Sequence, residues 1–174
     1  SEFVVDMIQG GAGTSTNMNM NEVIANRGLE LMGHRRGEYS FLHPNDDVNM
    51  SQSTNDAYAT AARLGIILQS LSLKEAINSL SAAFHSKARE FEGIVKVGRT
   101  HLQDAVPLGL NQKFSSFGSG IAEEVDRLEQ LEEWLAEINL GGTAIGTGIN
   151  TPPEYQQLAI AELVAVSGVK LAPS

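Results

Sequence analysis

TNDAYATAARLGIILQSLSLKEAINSLSAAFHSKAREF, residues 54–91, decides the fold. Leu64, Leu68 and Leu71 recur at spacings of four and three. Leu73, Ile77, Leu80, Phe84, Ala88 and Phe91 carry the rhythm onto an adjoining face. The period is helical, and no proline interrupts it. At about 1.5 Å per residue such a helix is roughly 55 Å long. A short domain cannot cover it, so it calls for long partner helices and a bundle.

Downstream, GIVKVGRTHLQD (93–104) separates it from a second long helix over about Leu108–Ile138. The stripe of that helix is Leu110, Phe114, Phe117, Ile121, Val125, Leu128, Leu131, Leu135 and Ile138. Gly118 and Gly120 sit inside it, where each costs roughly 1 kcal/mol against alanine. Close approach of another helix explains that cost; a kink is the alternative. GGTAIGTGIN (141–150) is too rich in glycine for a regular element and reads as a loop. A last helix runs from about Pro153 to Ser167 and stops at Gly168. Upstream, Asn17–Gly33 reads as a helix with Met20, Val23, Ile24, Leu31 and Met32 as its stripe, and 34–52 is irregular. The fold class is therefore all-α, a long-helix bundle with little strand. A bundle with such long flanks should associate with other chains.

The 174 residues are 42% hydrophobic, which suits one globular unit or part of a larger one. A net charge of −9 with no basic run disfavours nucleic acid and anionic membrane as partners. No apolar run approaches the ~20 residues that span a bilayer. Cysteine is absent, so disulfides and thiolate chemistry are excluded, and with no secretory pattern the expected localisation is cytoplasmic. The chain opens without methionine on FVVDMIQ (3–9) and stops just after a helix. It reads as a piece of a longer protein.

The start of the long helix carries the chemistry. HPNDDVNMSQSTNDAYAT (43–60) concentrates Asn45, Asp46, Asp47, Asn49, Ser51, Gln52, Ser53, Thr54, Asn55 and Asp56. Hydroxyls, amides and free backbone N–H groups at a helix start donate hydrogen bonds to carboxylates. The plainer reading is an N-cap with a polar loop. Three further segments share its Gly, Ser, Thr and Asn chemistry: GGAGTSTNMNMNEV (10–23), GRTHLQDAVP (98–107) and GGTAIGTGIN (141–150). No His/Cys/Asp/Glu spacing makes a metal site, and there is no Gly-Lys-Ser/Thr phosphate loop. GGAGTSTN lacks the glycine spacing and the βαβ setting of a dinucleotide loop. Of four histidines, His101 alone follows Arg99-Thr100 in an inter-helix segment with no helical stripe to join.

Taken together, GAGTSTNMNMNEVIANRGLELMG, VNMSQSTNDAY, GRTHLQDAVP and GTAIGTGINTPPEY resemble the aspartase/fumarase superfamily of carbon–heteroatom lyases, in its order and spacing. The likeness favours the aspartate ammonia-lyase branch: Ser-Thr-Asn-Asp stands where fumarases carry a double serine, and GLELMGHRRGEY follows the first helix. It covers essentially the whole chain. It implies an incomplete bundle of the family's type, with 1–45 ending the N-terminal domain and 46–174 opening the central helical bundle. It implies reversible loss of ammonia from L-aspartate to give fumarate through an aci-carboxylate, without a cofactor.

By resemblance, the substrate-binding residues are Thr14, Ser53, Thr54, Asn55, Thr100 and His101, the last two also catalytic. His43, Asn45 and Asp46 would form a secondary anion site, or simply a capped turn. The family builds its site from three subunits of a homotetramer, so segments 10–23, 43–60 and 98–107 need not meet within one chain. The family's catalytic serine, on a Gly-Ser-Ser loop, has no counterpart here, so the chain alone should be inactive. Ala59 stands where the family usually has proline, and Asn111 and Lys113 where Gly and Glu are expected; none of the three is a proposed contact. Fumarate hydratase, which shares nearly all these motifs, and a non-catalytic helical assembly module are the alternatives.

Overall fold

The computed structural model describes residues 2–6, 8 and 10–174; the FVVDMIQ opening therefore lies partly outside the described residues. The elements are α1 (Thr14–Leu31), a short π-helical turn (Pro44–Val48), α2 (Thr54–Glu90), β1 (Val95–Thr100), β2 (Gln103–Gly109), α3 (Leu110–Leu135), β3 (Glu137–Ile138), α4 (Tyr155–Ser167) and β4 (Ala172–Pro173). Helices dominate, as the periodicity requires, and α2 runs unbroken for 37 residues. The chain divides into two compact units, Ser1–Gly65 with Leu135–Ser174, and Ile66–Trp134.

In the second unit the later part of α2 packs antiparallel against α3. Lys74 Nζ meets Glu132 Oε2 at 2.9 Å, and the Ser70 hydroxyl bonds the same carboxylate. Further along, Ser81 Oγ donates to the Gly118 carbonyl at 2.9 Å. Phe84 then packs on Phe114 and Phe117, and Phe91 on Phe114 with centroids 4.9 Å apart. At Gly118 the helices approach closely. A Cβ there would fall 2.8–3.0 Å from the His85 ring, whereas a Cβ on Gly120 would meet nothing within 4 Å. Close approach accounts for the first glycine and leaves the second without a structural reason.

Between the helices, where the sequence reading assigns 93–104 only as a connection, lies a two-stranded antiparallel ribbon that extends to Gly109. Thr100 pairs with Gln103, so His101 and Leu102 form a two-residue turn with φ of 48° and 62°. Positive φ at both positions is the twist a hairpin needs, normally supplied by Asn-Gly. Pro107 within β2 and a register shift between Val97 and Arg99 further weaken the strand signal.

The first unit gathers α1, the π-helical turn, the start of α2, the glycine-rich loop and α4. Ala25, Leu29 and Ile138 are fully buried, and Ile160 and Leu171 are nearly so. Glu137–Ile138 and Ala172–Pro173 pair as a short parallel ladder. Gly168, in the left-handed region at φ 70°, closes α4 as expected.

The apolar stripe read in sequence is the half-buried line of most of α3 and, through Ile77, Phe84, Ala88 and Phe91, of the later part of α2, but α1 and the leucines of α2 depart from it. α1 buries Asn19, Asn21, Ala25 and Leu29, while Met20, Ile24, Leu31 and Met32 are exposed. α2 turns Ile67, Ser70, Ser81 and Ala88 inward and leaves Ile66, Leu68, Leu71, Leu73 and Leu80 exposed. The small inward residues permit close helix contact, and the large apolar ones lie exposed on either flank of that line, Ile66, Leu73 and Leu80 on one side and Leu68 and Leu71 on the other. Among the described residues no helix is long and apolar enough to cross a membrane.

Candidate functional site

The site builds outward from the first turn of α2. Ser53 sits just before it, and its Oγ accepts the Asn55 N–H at 3.2 Å. Asp56, three residues on, reaches back: its Oδ1 accepts the N–H of Ser53 at 2.9 Å and of Ala57 at 2.7 Å. This reciprocal pair is a capping box with aspartate in the usual glutamate position. It leaves a defined set of free groups. The Ser53 oxygen is occupied as an acceptor, so its proton is free to donate elsewhere. Thr54 uses neither its N–H nor its hydroxyl toward any described residue.

The other oxygen of Asp56 faces the glycine-rich loop. Oδ2 accepts the N–H of Gly141 at 3.1 Å and of Thr143 at 2.8 Å. Asn55 Nδ2 donates to the Ala144 carbonyl at 2.8 Å, and Asn139 Nδ2 donates to the Asn55 carbonyl at 3.1 Å. The loop takes left-handed values at Gly141, Thr143, Gly146, Gly148 and Asn150. Gly141 is further constrained, because a Cβ there would lie 2.6 Å from that of Gln156. Asp56 itself is completely buried, and among the described residues no cationic side chain pairs with it. Tyr155, at the start of α4, is pushed above the usual phenol range by burial, and then by the negative charge of Asp56.

The start of α1 meets the same region. Gly13, at φ 85°, lies against the Tyr58 ring, so the backbone there has no room for a side chain. Asn49 Oδ1 accepts from Asn17 Nδ2 at 3.2 Å and from buried Asn21 Nδ2 at 2.9 Å, which ties α1 to the loop before α2. Segments 10–23 and 43–60 therefore do meet within one chain. Thr14 is exposed, and its hydroxyl makes no hydrogen bond among the described residues.

Thr100 and His101 occupy the hairpin tip in the other unit, both exposed, with side chains free of hydrogen bonds to described residues. Asn55 is only partly free, because one amide proton is given to Ala144. His43 Nδ1 caps the π-helical turn, accepting from the N–H groups of Asn45 at 3.3 Å and Asp46 at 3.1 Å. Asn45 Nδ2 donates to Asp46 Oδ1 at 3.0 Å. Sequence reading places Asn49 and Asp56 in the polar cluster without giving either a role, and does not single out Asn139. The Ser53-x-x-Asp56 spacing was a signal for the capping box. Nothing local marks the bonds to Gly141 and Thr143, which lie more than eighty residues away.

A family model described as "Lyase" matches residues 1–174, the whole chain. The chain belongs to this lyase family. Among its relatives, the aspartate ammonia-lyase of Pseudomonas aeruginosa is 61% identical over 99% of the chain and 37% of its own length. Two solved lyase structures superpose well. The fumarate lyase:delta crystallin of Brucella melitensis in a cobalt-bound form has a TM-score of 0.93 at 55% identity, covering 99% of this chain and 37% of that one. The class II fumarase of Schistosoma mansoni has a TM-score of 0.85 at 36% identity, covering 96% and 35%. The aspartase/fumarase likeness read from the four motifs thus holds over the whole chain, and so does the helical fold class. The chain spans little more than a third of the length of the relatives it matches.

Proposed function

We propose that the full-length protein containing this chain is an aspartate ammonia-lyase, eliminating ammonia from L-aspartate to give fumarate. The observation that supports this most is the division of labour at the start of α2. Asp56 and Asn49 carry the structural bonds, while the Ser53 proton, both Thr54 donors and the Thr14 hydroxyl stay free. Free donors at a helix start suit a carboxylate ligand. The name of the Pseudomonas relative supports the same substrate.

Elimination removes a proton from the carbon next to a carboxylate. The carbanion is viable only as an aci-carboxylate, with charge spread over the carboxyl oxygens. Donors fixed in advance toward those oxygens are the main catalytic device. Thr14, Ser53, Thr54 and Asn55 supply one set. Thr100 and His101 supply another from a different subunit of a homotetramer. The base is a serine beyond the residues of this chain, and no cofactor takes part. A secondary anion site at His43, Asn45 and Asp46 belongs to the same proposal. His43 Nε2 is the group available there, since Nδ1 already caps the turn. In the full-length protein, residues 1–45 would end the first domain and 46–174 open the central bundle. The lack of cysteine suits a reducing compartment, and we place the protein in the cytoplasm.

The test follows fumarate absorbance with the full-length protein. Consumption of fumarate with ammonium and not in water alone is the expected result. Consumption in water alone would make it a fumarate hydratase, the reading favoured by the Schistosoma relative. No turnover either way would leave a non-catalytic assembly protein. The chain of residues 1–174 by itself should show no lyase activity, because donors without a base cannot remove a carbon-bound proton.

A further inference from the structure

We propose that Asp56 is a positioning residue of the anion site: its buried carboxylate clamps the Gly141–Thr143 turn to the first turn of α2 and thereby fixes the Ser53 and Thr54 donors. The inference rests on the reading of the first turn of α2 as a substrate-carboxylate site.

Three features of the geometry carry it. First, the location is costly. Asp56 is fully buried with no cationic partner among the described residues. Burying a carboxylate without a cation is tolerated only when its oxygens are fully hydrogen-bonded. Four backbone N–H groups do this, two on each oxygen, at 2.7–3.1 Å. Second, the four donors come from two separate places, the turn of α2 and the loop at 141–143. A cap that served α2 alone would need only the first pair. Third, the bonding pattern decides which groups remain free. Asp56 takes the N–H of Ser53 and Ala57, and Ser53 Oγ takes that of Asn55. The Thr54 N–H and the two hydroxyls of Ser53 and Thr54 are left over, pointing the capacity of this turn toward one ligand carboxylate. Asn139 and Asn55 brace the same junction from either side.

A buried anion next to a site for an anionic substrate is unfavourable for binding by charge alone. Its presence is therefore explained by order rather than by attraction. Asp56→Asn keeps the shape but presents an amide nitrogen to backbone N–H groups that need acceptors. One side of the clamp must open, and the Ser53–Thr54 donors lose their fixed aim.

The experiment uses the full-length protein and five forms: wild type, Ser53→Ala, Asp56→Asn, the Ser53→Ala/Asp56→Asn double variant and Asp56→Glu. Steady-state kinetics on L-aspartate are read together with calorimetric binding of succinate, a dicarboxylate that cannot eliminate, and with circular dichroism. Asp56→Asn is expected to lower kcat/KM by about 10²-fold, comparable to loss of a preorganised donor, and to weaken succinate about tenfold with unchanged helix content. Because Asp56 acts through Ser53 and Thr54, the double variant should be little worse than Asp56→Asn alone. Losses that multiply in the double variant would overturn the proposal, as would a near-normal Asp56→Asn enzyme. Failure of both Asp56→Asn and Asp56→Glu to fold would also overturn it, since the carboxylate would then hold up the chain rather than aim donors. Wild type that neither turns over aspartate nor binds succinate would instead refute the functional reading itself.

Discussion

Replacing Gly13 by alanine tests the junction between α1 and α2. Gly13 lies at φ 85°, where an L-residue pays about 1–2 kcal/mol. The new Cβ would fall 2.2 Å from Tyr58 Cδ1, 2.4 Å from Cε1 and 2.5 Å from Cγ. Cγ is the near end of the ring, so the ring cannot escape by a small tilt. It must swing on its own Cα–Cβ bond, or α1 must shift. Overpacking of that kind costs about 1–3 kcal/mol. Against this, alanine restricts the unfolded chain and returns about 0.4–1 kcal/mol. The net expectation is a loss of about 1–5 kcal/mol. The assay is urea unfolding of the full-length protein followed by circular dichroism, comparing midpoints at constant m. Adding Tyr58→Ala should recover the steric part of the Gly13→Ala loss and leave the backbone part of about 1–2 kcal/mol. A Gly13→Ala midpoint equal to wild type would refute the contact between segments 10–23 and 43–60.

The two glycines of α3 should respond in opposite directions. Gly120→Ala is expected to raise stability by about 1 kcal/mol from helix propensity, while Gly118→Ala must displace the His85 ring and should lower the melting temperature. Equal effects would contradict close approach at Gly118. Glu132 is held below its ordinary value of 4.5 by the Ser70 hydroxyl first and Lys74 second. A carboxyl with a depressed folded value stabilises above its unfolded value and loses that contribution as pH falls through the folded one. The melting-temperature gap between wild type and Glu132→Gln should therefore narrow as pH is lowered from 7 to below 4.5. A gap that stays constant would remove Glu132 as a pH-linked tie between α2 and α3.

Periodicity made the long helices legible. Residues 54–91 and 108–138 were expected, and Thr54–Glu90 and Leu110–Leu135 are found. Helical spacing reports the element, but not which side faces inward. α2 turns Ser70, Ser81 and Ala88 toward α3 and leaves Leu68, Leu71 and Leu80 exposed, because close packing selects small residues. The β1–β2 hairpin escaped notice for a different reason. Its turn is His101-Leu102 rather than a glycine-bearing pair, so the positive φ values carry no signature in residue type. At the proposed site, residue chemistry singled out the first turn of α2. It could not separate residues that offer a donor, such as Thr54, from one that spends its oxygens on the backbone, such as Asp56. That separation depends on Gly141 and Thr143, which only the folded chain brings near.

The most direct measurement of the central claim is fumarate formation from L-aspartate by full-length Thr100→Val and His101→Leu proteins, read beside their circular dichroism. Both side chains are exposed at the hairpin tip and make no hydrogen bond to a described residue, so removing them should leave the helices intact. Loss of one preorganised donor to the developing aci-carboxylate is expected to cost about 10²–10³ in rate. Unchanged helix content with activity down by that factor in each variant is the predicted result. Near-normal turnover in both would contradict the account, placing the carboxylate donors of this lyase somewhere other than residues 98–107.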